Sequence, residues 1–281
     1  MAAASHADRT VHGDPSPPPD AIALLTDFGL DDVFVGVMKG VIAGINPRVS
    51  VIDVTHALTP FEVAEAAFIL RATAAYFAPG TVFCVVVDPG VGSARRVLAA
   101  RADGRAFVAP DNGLLHPTLA QAKRAHVVSV ENRDYFLPHV SDTFHGRDIF
   151  APVAAHLSLG LALEKLGPPA EDIETLDLPE ASRTPDGAAE GQVILRDRFG
   201  NLITNIPADM LDAMGPRASL CVEIAGRVLP GLSRSYAAAP PGDLLALVSS
   251  FDTLEIACNQ RSAGDVLGAE RGDRVRVTRR A

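Results

Sequence analysis

The sequence predicts an α/β protein in two parts: an N-terminal α/β domain with a mostly parallel sheet, followed by a smaller all-β, barrel-like domain. Three observations carry this. Up to about residue 160, short continuous apolar runs alternate with helical periodicity, as expected of strands buried on both faces of a helix-covered sheet. Beyond about residue 190, short strands recur with turns and few helices, the pattern of a small barrel or sandwich. Charge divides at the same place. Residues 190–281 hold 11 Arg, no Lys and 11 acidic residues, so the whole net charge of −9 falls on the first 189 residues. The expected divisions are a disordered tail over 1–20, the N-terminal α/β domain over 21–170, a Pro- and Glu-rich linker over 171–190, and the barrel-like domain over 191–281.

Each element follows from the chain in order. Ala21–Thr26 is an apolar strand ending at Asp27-Phe28-Gly29. Asp31 to Ile45 has apolar residues at 3–4 spacing and stops at Asn46-Pro47, which predicts a helix. Val49–Val54 is a second strand. Pro60–Phe77 is a second helix, with Pro60 suited to its first turn. Thr81–Val87 is a third strand, closed by Asp88-Pro89-Gly90. Leu98–Arg101 and Ala106–Ala109 flank an Asp103-Gly104 turn as two further strands. A short helix over Gly113–Ala122, a strand over His126–Val130 and a helix over Asp148–Leu159 complete this half. The second half reads as strands at Gln192–Arg196, Leu202–Ile206, Ser219–Ile224, Leu244–Ser249, Leu254–Cys258 and Val275–Thr278.

Composition excludes several classes. With 48% hydrophobic and 21% charged residues, the chain is not disordered as a whole. Three widely spaced Cys form no disulfide framework and fit the reduced thiols of a cytoplasmic protein. No apolar run approaches the roughly 20 residues that span a bilayer, and Met1 to Asp20 has no secretory h-region. The negative net charge argues against a nucleic-acid partner.

In open α/β sheets, ligands bind beyond the carboxyl ends of the strands. Asp27, His56 with Thr59, Asp88, and Asp111-Asn112 all follow strands and so face one crevice. The loop Asp88 to Arg96 contains Gly90 and Gly92 but matches neither GxGxxG nor a Walker loop. It reads equally well as a tight turn or as a close backbone approach to a ligand. Thr143-Phe144-His145-Gly146-Arg147-Asp148 opens a helix and puts a titratable imidazole beside that crevice. Asp197 to Asn205 and Ser249 to Ala257 are polar turns between strands of the second half. No HxxxH, HExxH or Cys/His pair has metal-ligand spacing, so no metal is expected. Asp27, Asp31 and Asp32 read either as oxygen ligands for Ca²⁺ or as a ribose ligand with two acids at a helix start.

Seven segments taken together carry a resemblance. They are Thr26-Asp27-Phe28-Gly29 with Asp31-Asp32; Asp53-Val54-Thr55-His56 with Thr59-Pro60-Phe61; and Val87 to Ser93. They continue with Ala109 to Gly113, Thr143 to Asp148, Asp197 with Phe199-Gly200-Asn201 and Thr204-Asn205-Ile206, and Leu254 to Ala257. In this order they resemble the S-adenosyl-L-methionine (SAM) hydrolases, or SAM hydroxide adenosyltransferases, relatives of the fluorinase and chlorinase. The resemblance implies a trimer in which SAM lies between the N-terminal domain of one subunit and the C-terminal domain of its neighbour. The reaction is then SAM plus water giving adenosine and L-methionine, with no cofactor and no membrane or nucleic-acid partner. Carried over residue by residue, Asp88, Arg95 and His145 act on the nucleophile. Asp27 holds the ribose hydroxyls, Phe61, Phe144 and Phe199 surround the adenosine, and Asn201 contacts adenine or ribose. Asp197 takes the methionine ammonium, and Ser250 lies in the methionine-binding turn. There Phe251-Asp252-Thr253 replaces a more Gly-rich version. The halide-binding hydroxyls of the halogenating relatives fall on Gly146 and on Gly90-Val91, which favours water as nucleophile. Three alternatives remain: a halogenase, a non-enzymatic SAM or adenosine sensor, and a metal-dependent nucleoside hydrolase suggested by the Asp27, Asp31, Asp32 cluster.

Overall fold

The computed structural model describes residues 21–280; the tail expected over 1–20 lies outside the described residues. The chain divides into two compact units, one reaching Leu176 and one beginning at Asp177.

The first unit is a six-stranded sheet with helices on both faces. Its strands are β1 (Ala21–Thr26), β2 (Ser50–Thr55), β3 (Val82–Val86), β4 (Val97–Ala102), β5 (Arg105–Pro110) and β6 (Ala125–Ser129), in the order β2-β1-β3-β5-β4-β6. The pairs β1–β2, β1–β3 and β3–β5 are parallel. β4 runs antiparallel to both β5 and β6, so the sheet is mixed. Strand alternation sorts the core into two layers. Ile22, Leu24, Cys84 and Val86 meet Met38 and Ile42 of α1 (Phe34–Ile45) together with a later helix. Ala23, Leu25, Phe83 and Val85 meet Ala66 and Leu70 of α2 (Val63–Ala74) and Leu119 of α3 (His116–Ala120).

Two helices begin later than their periodicity predicts. α1 starts at Phe34, because Gly29 takes φ +68° and donates its N–H to the His56 carbonyl, and the chain bends over 30–33 first. α2 starts at Val63 and excludes Pro60, because Phe61 takes φ +68°, which no right-handed helix accommodates. The helix expected from Asp148 opens instead as a wide π turn over Gly146–Phe150 and continues as α4 (Ala151–Ser158).

The second unit is a nearly closed barrel-like sheet of eight strands. They are β7 (Ser182–Arg183), β8 (Ala189–Arg196), β9 (Leu202–Pro207), β10 (Leu220–Ile224), β11 (Arg227–Pro230), β12 (Leu244–Val248), β13 (Thr253–Cys258) and β14 (Arg274–Arg279). The order is β11-β10-β14-β8-β9-β13-β12, with β7 added on β8. β8 turns a corner: its first half pairs with β14 and its second half with β9, with an irregularity between Val193 and Leu195. Ser233 N–H donates to the Ala246 carbonyl and draws the chain after β11 toward β12. Two short helices, α5 (Ala208–Asp212) and α6 (Ala263–Leu267), lie outside the strands. The core inside is Val193, Leu202, Val222, Ile256, Val277 and their neighbours.

Candidate active site

The parallel strands of the first unit end on one side, and the polar residues that follow them converge there. Asp88 follows β3. Arg95 lies at the far end of the Pro89–Arg95 loop, and one guanidinium nitrogen, Nη2, donates to Asp88 Oδ2. The same nitrogen lies 3.2 Å from His145 Nδ1. A guanidinium carries only donors. Nδ1 is therefore the acceptor, and the neutral ring holds its proton on Nε2. Arg95 Nη1 donates to the Arg96 carbonyl at 3.1 Å, and its guanidinium lies 5.5 Å from the Phe150 ring centroid. The side chains of Asp88 and Arg95 are 5% and 8% exposed. Among the described residues, Asp88 Oδ1 and Arg95 Nε are buried without a partner. Such orphans carry a desolvation cost and point to a polar ligand.

Burial pushes the Asp88 carboxyl above the usual carboxylate range, although Arg95 and His145 oppose this. Burial and then the Arg95 cation hold His145 below the usual imidazole value, against the pull of Asp88, Asp148 and Asp142. The cluster thus presents a neutral imidazole and a carboxyl whose proton affinity is raised.

Asp88 and His145 line a cavity of 300 Å³ together with Asp27, Phe28, Phe34, Phe61, Thr143 and Phe144, while Arg95 contacts both from outside that lining. Asp27 is aimed by backbone, because its Oδ2 accepts the Phe61 N–H at 2.8 Å. That bond coincides with the left-handed conformation of Phe61, a residue 70% exposed. Phe28, Phe34 and Phe144 pack edge-on or tilted at 5.1–6.0 Å and form an aromatic wall. His56 does not join this site. It is 3% exposed, its Nδ1 is 2.8 Å from Thr26 Oγ1, and its Nε2 is 3.0 Å from Asp53 Oδ1. Asp111 is likewise held elsewhere, by Arg96 and by the Glu174 N–H. Asp31 and Asp32 are exposed. Among the described residues no group of His, Cys, Asp and Glu side chains forms a metal cage.

The second unit has its own cavity of 680 Å³, lined by Asp197, Phe199, Asn201, Tyr236, Arg261 and Ser262 among others. Asp197 Oδ1 accepts the Asn201 N–H at 2.8 Å and Oδ2 accepts from its side-chain amide at 2.9 Å, so the β8–β9 turn is closed on itself. Phe199 is 78% exposed at the tip of that turn. Behind the cavity wall the Tyr236 hydroxyl donates to buried Glu255 at 2.8 Å. Burial and the Glu255 partner push the phenol up to about 12, and burial raises Glu255. Ser250 lies on an exposed turn and does not line this cavity. Its neighbour Ser249 faces inward, where its hydroxyl accepts the Phe251 N–H. Tyr236, Arg261, Ser262, Phe28 and Phe34 were not singled out from sequence. The two Phe sit in the apolar periodicity of the first strand–helix turn, and Tyr236 lies in a segment without regular pattern.

Fold and site define a class: an α/β unit carrying an Asp–Arg–His cluster at the carboxyl ends of its sheet, joined in one chain to a β-barrel-like unit. Residues 22–167 match the N-terminal domain of the SAM hydroxide adenosyltransferases and residues 191–276 match the C-terminal domain. The chain belongs to the SAM hydroxide adenosyltransferase family. It is 41% identical over 261 residues to an (R)-S-adenosyl-L-methionine hydrolase of Salinispora tropica, covering 92% of this chain and 97% of that protein. A fluorinase of Actinopolyspora mzabensis is 31% identical over 92% of this chain and 97% of its own length. The crystal structure of an uncharacterized conserved protein from Thermotoga maritima superposes with a TM-score of 0.87 at 38% identity, over 92% of this chain and all of that one.

Proposed function

We propose that this protein hydrolyses (R)-S-adenosyl-L-methionine to adenosine and L-methionine by in-line attack of water on the ribose C5′. The observation that carries the reading is the Asp88–Arg95–His145 cluster, with two buried polar atoms lacking partners, in a chain of this family. The sulfonium leaves as a neutral thioether, so the leaving group needs no general acid. The nucleophile is the difficult partner, because free water has a pKa of about 15.7. In the proposed site Asp88 Oδ1 accepts a proton of the water as its oxygen attacks C5′, the C5′–S bond breaks, and the electron pair stays on sulfur. The Arg95 cation stabilises the developing hydroxide. His145 holds Arg95 through Nδ1 and offers its Nε2–H as a donor. Fixing water and C5′ at attack distance contributes on the order of 7–11 kcal/mol.

Asp27 is assigned to the ribose hydroxyls, and Phe61 and Phe144 to the adenosine. Phe199, Asn201, Asp197 and Ser250 are assigned to the adenine and methionine ends from a neighbouring copy in a homotrimer. What supports self-association is exposed apolar surface on the first unit: Leu30 is 74%, Val33 71% and Ile52 42% exposed. In α1, which begins one residue after Val33, Gly36, Gly40 and Gly44 have open space where a side chain would stand. A cytoplasmic location is supported by three free thiols among the described residues, and no helix there is long and apolar enough to cross a membrane.

Water rather than halide is favoured by Gly146. A Cβ there would stand 3.0 Å from the Phe144 ring and 3.2 Å from Met38 Sδ, so a hydroxyl residue has little room. Thr143 still gives the cavity one hydroxyl, so the test includes halide. Each SAM epimer is incubated in ¹⁸O-water, with and without chloride or fluoride and after EDTA. The reading requires adenosine labelled at the 5′ oxygen, from the (R) epimer first, with no loss to EDTA. A 5′-halo product, unlabelled adenosine, or binding without turnover each overturns it.

A further inference from the structure

The carboxylate of Asp148 is fully buried yet reaches neither the cavity nor the cluster. Its partners lie at both ends of the loop that supplies the site. At the N-terminal end, Asp148 Oδ2 accepts both the backbone N–H and the hydroxyl of Ser141, each at 2.8 Å. At the C-terminal end, Oδ1 accepts Arg147 Nε–H at 2.6 Å and Oδ2 accepts Nη2–H at 3.1 Å. Between these anchors stand Thr143, Phe144, His145 and Gly146, all of which line the cavity. Ser141 also accepts the Phe144 N–H at 3.2 Å. The Arg147 guanidinium that Asp148 aligns lies 5.4 Å from the Phe144 ring centroid. The π turn over Gly146–Phe150 widens the helix start where His145 leaves it. From the other side the loop rests on Gly92, where a Cβ would stand 2.4 Å from the Asp142 carbonyl.

A buried carboxylate with four charge-assisted or backbone bonds keeps one geometry, because each lost bond leaves a desolvated charge. We propose that Asp148 is a positioning residue of the reaction: through Ser141 and Arg147 it fixes the Phe144–His145 segment, and so sets the contact of His145 Nδ1 with Arg95. Its bonds to Arg147 and Ser141 outweigh the upward push of burial and hold the carboxyl below its ordinary range, so the staple stays charged at neutral pH. The inference rests on the proposed hydrolysis only for its kinetic readout.

The test uses the full-length protein and three variants. Asp148→Asn keeps the shape but turns one acceptor into a donor facing Arg147. Ser141→Ala removes one arm and leaves the backbone bond. Arg147→Lys keeps the charge and loses the fork over Phe144. Nitrogen-15 spectra of His145 report its tautomer without substrate. The parent should show an unprotonated Nδ1, and Asp148→Asn a mixture of tautomers. The expected kcat, measured well below the melting temperature of each variant, falls at least tenfold in Asp148→Asn and twofold to fivefold in Ser141→Ala. If Asp148→Asn does not fold, Ser141→Ala and Arg147→Lys decide. Folded variants with parental His145 spectra and parental kcat overturn the proposal. So does a kcat loss that merely follows melting temperature. If the parent releases no adenosine, the hydrolysis reading fails, while the His145 spectra still decide the positioning role.

Discussion

Arg95 is the residue on which the cluster turns, since its guanidinium touches Asp88, His145, the Arg96 carbonyl and the Phe150 face. Lysine offers one charge but no planar fork. Arg95→Lys is therefore expected to cut kcat by about 10²–10³-fold, the scale of losing a preorganised donor, with a smaller change in KM; equal losses in a truncated substrate-binding assay would assign Arg95 to binding instead. The pH dependence has a definite sign. Asp88, raised from an ordinary 3.8, and His145, lowered from 6.5, must both be unprotonated, so kcat falls on acidification and stays level from neutral to about pH 8. Stability follows the histidines. A folded-state pKa below 6.5 means that the unfolded chain binds more protons as pH drops through that value, so stability is lost on acidification. His156, lowered by burial and edge-on to Tyr135, adds to this. Melting curves at about pH 7.5 and pH 5.5 should show His156→Gln losing less than the parent between the two conditions; an equal or larger loss contradicts the assignment.

At the scale of elements, the β8–β9 turn makes the sharpest case. Gly200 takes φ +82°, and a Cβ there would stand 2.1 Å from Ser262 Oγ. Gly200→Ala should cost about 2–4 kcal/mol, from left-handed backbone and overpacking together. Adding Ser262→Gly removes the Oγ and Cβ contacts at 2.1 and 2.4 Å but leaves the Ser262 Cα at 2.8 Å and deletes the cap on the Asp265 N–H, so Gly200→Ala should cost less in the Ser262→Gly background than in the parent without becoming free. Chemical denaturation of both single variants and the double variant measures this, and an equal cost of Gly200→Ala in the two backgrounds refutes the clash. The apolar runs of β1, β3 and β5 were legible because burial on both faces writes itself as unbroken hydrophobicity. β11 was not, since its hairpin turns at Ala225 and Gly226 with φ +47° and +72°, and Ala carries no signal for a left-handed position. The late start of α2 was hidden for the same reason at Phe61. Asp88, Arg95 and His145 could be named from motifs, but the contact joining a loop after β3 to a loop before α4 is tertiary. The Ser141–Asp148 staple was invisible for that reason, as was the diversion of His56 and Asp111 into structural pairs.

For the whole molecule, each unit carries a cavity of its own, and the proposed substrate site draws on both. The first unit's cavity is lined by Asp27, Phe61, Asp88 and His145, the last two of which contact Arg95, and the second unit's cavity by Asp197, Phe199 and Asn201. The proposed trimer makes activity depend on association, and α1 offers a way to test this without touching either cavity. Gly40 lies on an exposed helical face with no atom within 4 Å of where its Cβ would be. Within one protomer, Gly40→Glu relieves a helix-interior glycine and should stabilise α1 by up to about 1 kcal/mol. Placed in an apolar contact between copies, the same carboxylate is buried without a partner and opposes assembly. The two effects have opposite signs, which is what makes the variant informative. Light scattering should show the parent at three times the chain mass of 29.5 kDa and Gly40→Glu as a folded monomer that releases no adenosine. Val33→Asp, next to the helix start and 71% exposed, should behave the same way. A parent that is monomeric and active, or a monomeric variant with parental turnover, would show that one chain completes its own site and would remove the trimer from the mechanism.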